Sequence, residues 1–198
     1  MKKFLLSSAL VLAMAGSAWA QDTTTTTATV NIQGTLEMGT MLGSLDFGTR
    51  APGDSNVPAT AVGAPNLSVV FSDSRALLDG YHMVVQSTDF SNGTGGTIPA
   101  TGFEIQYDGV ASVDLIDNDG GAETVPTLDP GLTSPQPLDQ PVLIFEADQG
   151  LDPTVGKGSW VLVVEPGSFT LDIPPATPTG AYLATLTFSV NPGLFGPP

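Results

Sequence analysis

Apolar residues in this chain recur at every second position in short runs, and clusters of Gly, Pro, Asp and Ser cut each run short. A period of two marks a half-buried strand, because successive side chains point to opposite faces. Val30, Ile32, Leu36 and Met38 fall at even spacing, with Gly34 in the gap. Tyr81, Met83 and Val85 share one face of 81–86, and His82 and Val84 take the other. Phe103, Ile105 and Tyr107 alternate, as do Phe169, Leu171 and Ile173. Tyr182, Ala184, Leu186, Phe188 and Val190 line one face of a last strand. Residues 67–71 add another, and 142–145 and 160–164 are apolar throughout, which predicts strands buried on both faces.

The clusters between these runs carry turn chemistry: Ala51-Pro52-Gly53-Asp54, then 91–97, 117–121, 129–137 and 174–180. With 23 Gly and 17 Pro in 198 residues, and no capped run of helical period after residue 20, a helical bundle is excluded. The pattern predicts an all-β fold, a single β-sandwich of short antiparallel strands with Ig-like or related topology. Residues 108–140 are the least strand-like and read as an insertion or long loop carrying a hairpin.

Lys2 and Lys3 precede an apolar run over 4–14, and Ala18-Trp19-Ala20 has the small-x-small form of a cleavage site. Residues 1–20 therefore read as a secretory signal peptide, whose apolar run over 4–14 is shorter than the ~20 apolar residues a spanning helix needs. Residues 21–28 are expected to be a flexible threonine-rich leader, 29–191 the sandwich domain and 192–198 a C-terminal tail. All 20 acids lie beyond Ala20, but only three bases do, Arg50, Arg75 and Lys157, so the mature charge is 3 − 20 = −17. Such a surface disfavours nucleic acid and anionic lipid as partners. The chain has no cysteine, so its stability must come from its core or from a partner.

Catalysis is not expected. His82 is the one histidine and sits inside a strand pattern, no G-x-S-x-G elbow occurs, and no cysteine nucleophile exists. No cofactor is expected either. Asp117, Asp119 and Glu123 are the only calcium candidates, but their loop has Gly121, Ala122 and Leu128 where an EF-hand needs an oxygen ligand, Gly and Glu. The segment Asp73-Ser74-Arg75 reads as a structural carboxylate–guanidinium pair at a strand end.

Several segments taken in order resemble the WxL-type bacterial surface domains. They are Leu45-Asp46-Phe47-Gly48-Thr49, the stretch 66–90 (NLSVVFSDSRALLDGYHMVVQSTDF), Gly158-Ser159-Trp160, and the stretch 169–190 (FTLDIPPATPTGAYLATLTFSV). At the two motif positions Tyr81-His82-Met83 and Phe188-Ser189-Val190 replace W-x-L, while a literal W-x-L, Trp160-Val161-Leu162, stands in a different strand. The resemblance implies a secreted, non-enzymatic surface protein held non-covalently on the cell wall, its partner peptidoglycan or an associated polysaccharide, or other surface proteins. Tyr81, Met83, Trp160 and Phe188 are then the candidates for contact with wall carbohydrate. A different reading starts from the leader: a threonine-rich arm followed by an alternating strand could pair with a sheet edge of another subunit, making a filament or surface layer. An adhesin-like structural module is a further alternative.

The processing expectation is tested directly. The intact mass of the exported protein should correspond to residues 21–198, and a mature species that keeps residues 1–20 overturns it.

Overall fold

The computed structural model describes residues 34–75, 79–107, 113–117, 121, 123–150 and 152–196. The expected signal peptide and leader, and Asp119 of the calcium candidates, lie outside the described residues. In chain order the strands begin with β1 (Leu36–Leu42), β2 (Ser44–Asp46), β3 (Val57–Pro58), β4 (Thr60–Val62), β5 (Leu67–Asp73) and β6 (Tyr81–Ser87). There follow β7 (Phe90–Ser91), β8 (Thr97–Ile98), β9 (Phe103–Ile105), β10 (Val113–Asp117), β11 (Thr127–Leu128) and β12 (Gln136–Pro137). The last four are β13 (Val142–Ala147), β14 (Gly158–Val164), β15 (Phe169–Leu171) and β16 (Leu186–Pro192). Helical backbone among the described residues is confined to single 3₁₀ turns. The fold is all-β, as the alternation predicts.

Every strand pairing is antiparallel. One sheet runs β1-β5-β14-β10, a second β11-β13-β6-β16, and a third β12-β9-β15-β3. The first two turn their apolar faces toward each other. Phe71 of β5 stacks on Phe145 of β13 at 5.1 Å between ring centres, and meets Tyr81 of β6 edge-on at 6.2 Å. Phe103, Ile105, Phe169 and Leu171 of the third sheet join the same continuous core. At the tight connection into β6, Gly80 has φ +68°, and an added Cβ would lie 2.5 Å from the Ala147 carbonyl oxygen, so only glycine fits there.

Three details depart from the sequence expectation. The apolar runs in β13 and β14 are not buried on both faces: Trp160, Leu162 and Val164 are buried, while Val161, Val163 and Leu143 are half-exposed. Valine serves an open face as well as a core because its branched carbon suits the pleat itself. Tyr182 and Ala184 lie ahead of the last strand, which begins only at Leu186. Their segment follows a Pro-rich stretch and touches a neighbour at Leu183 opposite Ser91 and at Thr185 beside Thr88. Finally, the strands of the stretch 108–140 that are described do not form the expected hairpin. The stretch supplies β10, β11 and β12, one to each large sheet, and places Leu132 and Leu138 in the core.

Because Phe71 is fully buried between the two facing sheets, Phe71→Ala should cost about 3–5 kcal/mol. A lower denaturant midpoint with unchanged slope would show it, and a loss below 1 kcal/mol would mean the sheets do not pack through this ring.

Candidate functional site

The two ends of the facing sheets differ in chemistry. At one end β5 finishes at Asp73, which is fully buried and lies opposite Leu36 on one side and Gly158 on the other. A carboxylate in such a place must be paired and hydrogen-bonded. Arg75 supplies a fork, with Nε 2.9 Å from Oδ1 and Nη2 3.3 Å from Oδ2, and its backbone N–H donates to Oδ1 at 3.0 Å. Oδ2 also accepts from Gln149 Nε2 at 2.7 Å and from Lys157 Nζ at 3.2 Å. Burial alone would push the Asp73 carboxyl up, but the hydrogen bonds from Arg75, Gln149 and Lys157 outweigh it and hold the group below the usual carboxylate range.

The pair expected from Asp73-Ser74-Arg75 is thus present, and it is the centre of a larger cluster. Arg75 donates to the Gly80 carbonyl at 2.9 Å and to Asp79 at 3.2 Å, and its guanidinium lies 5.8 Å from the Tyr81 ring centre. Tyr81 donates its hydroxyl to the Gly156 carbonyl at 2.7 Å, and Trp160 its indole N–H to the Lys157 carbonyl at 2.7 Å. Burial first, and then the charge on Asp73, raise the Tyr81 hydroxyl above its ordinary range.

These contacts correct the carbohydrate reading of four residues. Tyr81, Met83, Trp160 and Phe188 are all buried, so none presents a ring or side-chain face on which a sugar could stack. The WxL resemblance singles them out, and alternation within their strands cannot say whether those faces look inward. His82 is half-buried, with Nδ1 2.7 Å from the Gly193 carbonyl oxygen and its ring edge-on to Phe195 at 5.3 Å. Of the calcium candidates, Asp117 ends β10 opposite Trp160 and Glu123 is half-buried. Among the described residues no group of three His, Asp or Glu side chains could hold a metal ion.

At the other end lies a groove of about 1040 Å³. One wall is the segment 43–50, which carries the Leu45-Asp46-Phe47-Gly48-Thr49 motif, and the other is the segment 177–186. Leu67, Phe90, Ile98, Phe103, Leu171 and Ile173 form an apolar floor. Phe47 meets Phe90 and Phe103 edge-on at 6.0 and 5.6 Å, which fixes its wall to the core. Opposite, Tyr182 is held by its hydroxyl on the Pro178 carbonyl at 2.7 Å, and Leu183 stands 80% exposed.

Backbone direction matters in this groove. Leu183 exchanges both hydrogen bonds with Ser91, at 3.0 and 2.9 Å, and Thr185 exchanges with Thr88 through the threonine backbone N–H and hydroxyl, at 3.0 and 3.0 Å. In an extended chain alternate residues face opposite ways, so the N–H and C=O of Tyr182 and Ala184 point away from that neighbour. The strands that continue the two walls, β1 and β16, are both outer strands of their sheets. Asp46 and Arg50 are the only ionic residues lining the groove, and both are tied locally: Asp46 accepts from the Gly48 N–H at 2.8 Å, and Arg50 Nε donates to the Phe47 carbonyl at 2.6 Å. The lining offers no nucleophile–base pair. It suits an extended, uncharged, partly apolar chain.

Sequence reasoning missed this groove, although its walls are two of the segments that carry the WxL resemblance. No protein-family model and no curated protein matches the chain, so that likeness rests on the quoted motifs.

The Asp73 cluster carries a pH signature. Its folded-state pKa lies below the unfolded value, so its stabilisation is complete above about pH 4 and is lost as pH falls through the depressed value. Asp73→Asn, which leaves Arg75 and Lys157 facing a neutral amide, should cost about 3–5 kcal/mol at pH 7. The cost should shrink below pH 4, and an equal loss at pH 7 and pH 2.5 would overturn the assignment.

Proposed function

We propose that the mature chain is an exported, non-enzymatic structural module of the cell surface that accepts an extended segment of a neighbouring polypeptide as an added β-strand. The observation that carries this reading is the groove itself: an apolar floor between two walls, one of which, at Tyr182 and Ala184, turns its backbone N–H and C=O away from its neighbour. Exposed strand edges are templates for pairing, and natural proteins blunt them or use them. Strand addition supplies backbone hydrogen bonds along the edge, and alternate side chains of the incoming segment fill the apolar floor. Export is supported by residues 1–20, and a structural rather than catalytic role by a lining whose two ionic residues, Asp46 and Arg50, are both tied to nearby backbone. Wall attachment through aromatic stacking keeps the WxL resemblance but loses the four rings and side chains on which it was placed.

Purified residues 21–198 should assemble into species larger than the monomer in sedimentation velocity. Leu183→Asp, at an exposed position on the groove wall, should reduce assembly at least tenfold and leave the melting temperature within a few degrees. Assembly unaffected by Leu183→Asp overturns the reading. So does protein that stays monomeric in solution and pellets only with purified cell-wall sacculi.

A further inference from the structure

The walls and floor of the groove do not by themselves name the incoming segment. The remainder of the chain contains one with the matching chemistry. Residues 23–33 read TTTTTATVNIQ, eleven consecutive residues without a charge in a mature protein of net charge 3 − 20 = −17. Ala28, Val30 and Ile32 share one strand face, and Thr27, Thr29 and Asn31 the other. Threonine, valine and isoleucine favour extended backbone. The segment pairs a neutral, one-sided apolar strand with a neutral groove that has an apolar floor. Any acidic stretch of the same chain would meet a poorer match there.

The place where this arm joins the domain decides which groove it fills. The chain enters at Gly34, beside the Asp73 cluster. There Thr35 N–H donates to Ser74 Oγ at 3.0 Å, and Ser74 N–H donates back to the Thr35 carbonyl at 3.0 Å. The groove begins beyond the far end of β1, at Gly43 and Leu67. The seven residues of β1 separate the two ends, a rise of about 20 Å at ~3.3 Å per residue. An arm rooted at one end and a receptor at the other define a contact between two different patches. Such contacts are heterologous, and unless the rotation closes a ring they repeat without limit.

We infer that residues 23–33 of one copy occupy the groove of a second copy, with Val30 and Ile32 on the apolar floor, so that the chain builds head-to-tail filaments. This rests on the strand-accepting reading of the groove and adds the identity of the donor and the polarity of the assembly.

The absence of cysteine from the full sequence makes the test clean. Val30→Cys and Ile32→Cys in the arm are each combined with Leu45→Cys or Leu183→Cys on the two groove walls, in the full mature chain under mild oxidation. The expected result for at least one double variant is a ladder of covalent multimers on non-reducing gels. The corresponding pair of single variants, mixed, should give a covalent heterodimer. A double variant that forms only an internally crosslinked monomer overturns the inference, because the arm then fills its own groove. If every double variant stays uncrosslinked while assembly persists and still depends on Leu183, the groove reading survives but the donor is another segment. If no assembly occurs in any form, both readings fall together. As a second arm, Val30→Asp/Ile32→Asp and Leu183→Asp should each remain monomeric alone and pair one-to-one when mixed, since one keeps an intact groove and the other an intact arm. Failure of the mixture to pair, with both variants folded, overturns the inference.

Discussion

A single buried carboxylate ties together the far-flung parts of this fold. Asp73 is fully enclosed, and its partners come from the turn after β5, from the loop after β13 and from the residue before β14. An unpaired charge in that position would be intolerable, so the turn after β5 and the connection from β13 to β14 must arrive together for either to be stable. Two of the three bases expected in the mature chain, Arg75 and Lys157, are used here. The cluster also orders its surroundings: Lys157 presents its carbonyl to Trp160, Gly156 its carbonyl to Tyr81, and Val155 its carbonyl to Gln149. The largest side chains of the core are therefore oriented by polar handles at one end and by packing along their length.

At the opposite end the ion pairs seen around Asp73 are not repeated among the groove's lining residues. Its walls are held by aromatic edges and a few backbone bonds, and they enclose space instead of excluding it. A pair of facing sheets closed tightly at one end and open at the other presents one rigid end and one receptive end. That division follows from topology: β1 and β16 are both outer strands, and the segments that extend them are parted at the groove.

Much of this architecture is legible in the sequence, and the limits have physical causes. Strands such as β5, β6 and β15 are visible because each buries one face, and alternation reports that directly. The Asp73–Arg75 pair is visible because its members are two residues apart. Gln149 and Lys157 are not, because they join it from 76 and 84 residues away. The family resemblance marks Tyr81, Met83, Trp160 and Phe188 as wall contacts, and alternation cannot say whether their faces look inward; all four are core. The stretch 108–140 looked loop-like because its strands are two to five residues long, too short to establish a period. The groove left no local signal at all, since its walls, 43–50 and 177–186, lie far apart in the chain and become one feature only when the folded core sets a floor between them.

The enclosure of Arg75 and Lys157 at the Asp73 end also shapes the outside of the molecule. With side chains only 10% and 19% exposed, these cations lend little positive potential to the surface, and Arg50 is the one exposed Lys or Arg among the described residues. The exterior is a polyanion interrupted by a neutral seam. Two copies therefore repel at a distance and attract only at contact, so the range of the repulsion, about 8–10 Å at physiological ionic strength and longer in dilute media, sets how often they meet. The surrounding electrolyte, which touches none of the apolar floor, becomes a control on whether the seam is ever reached.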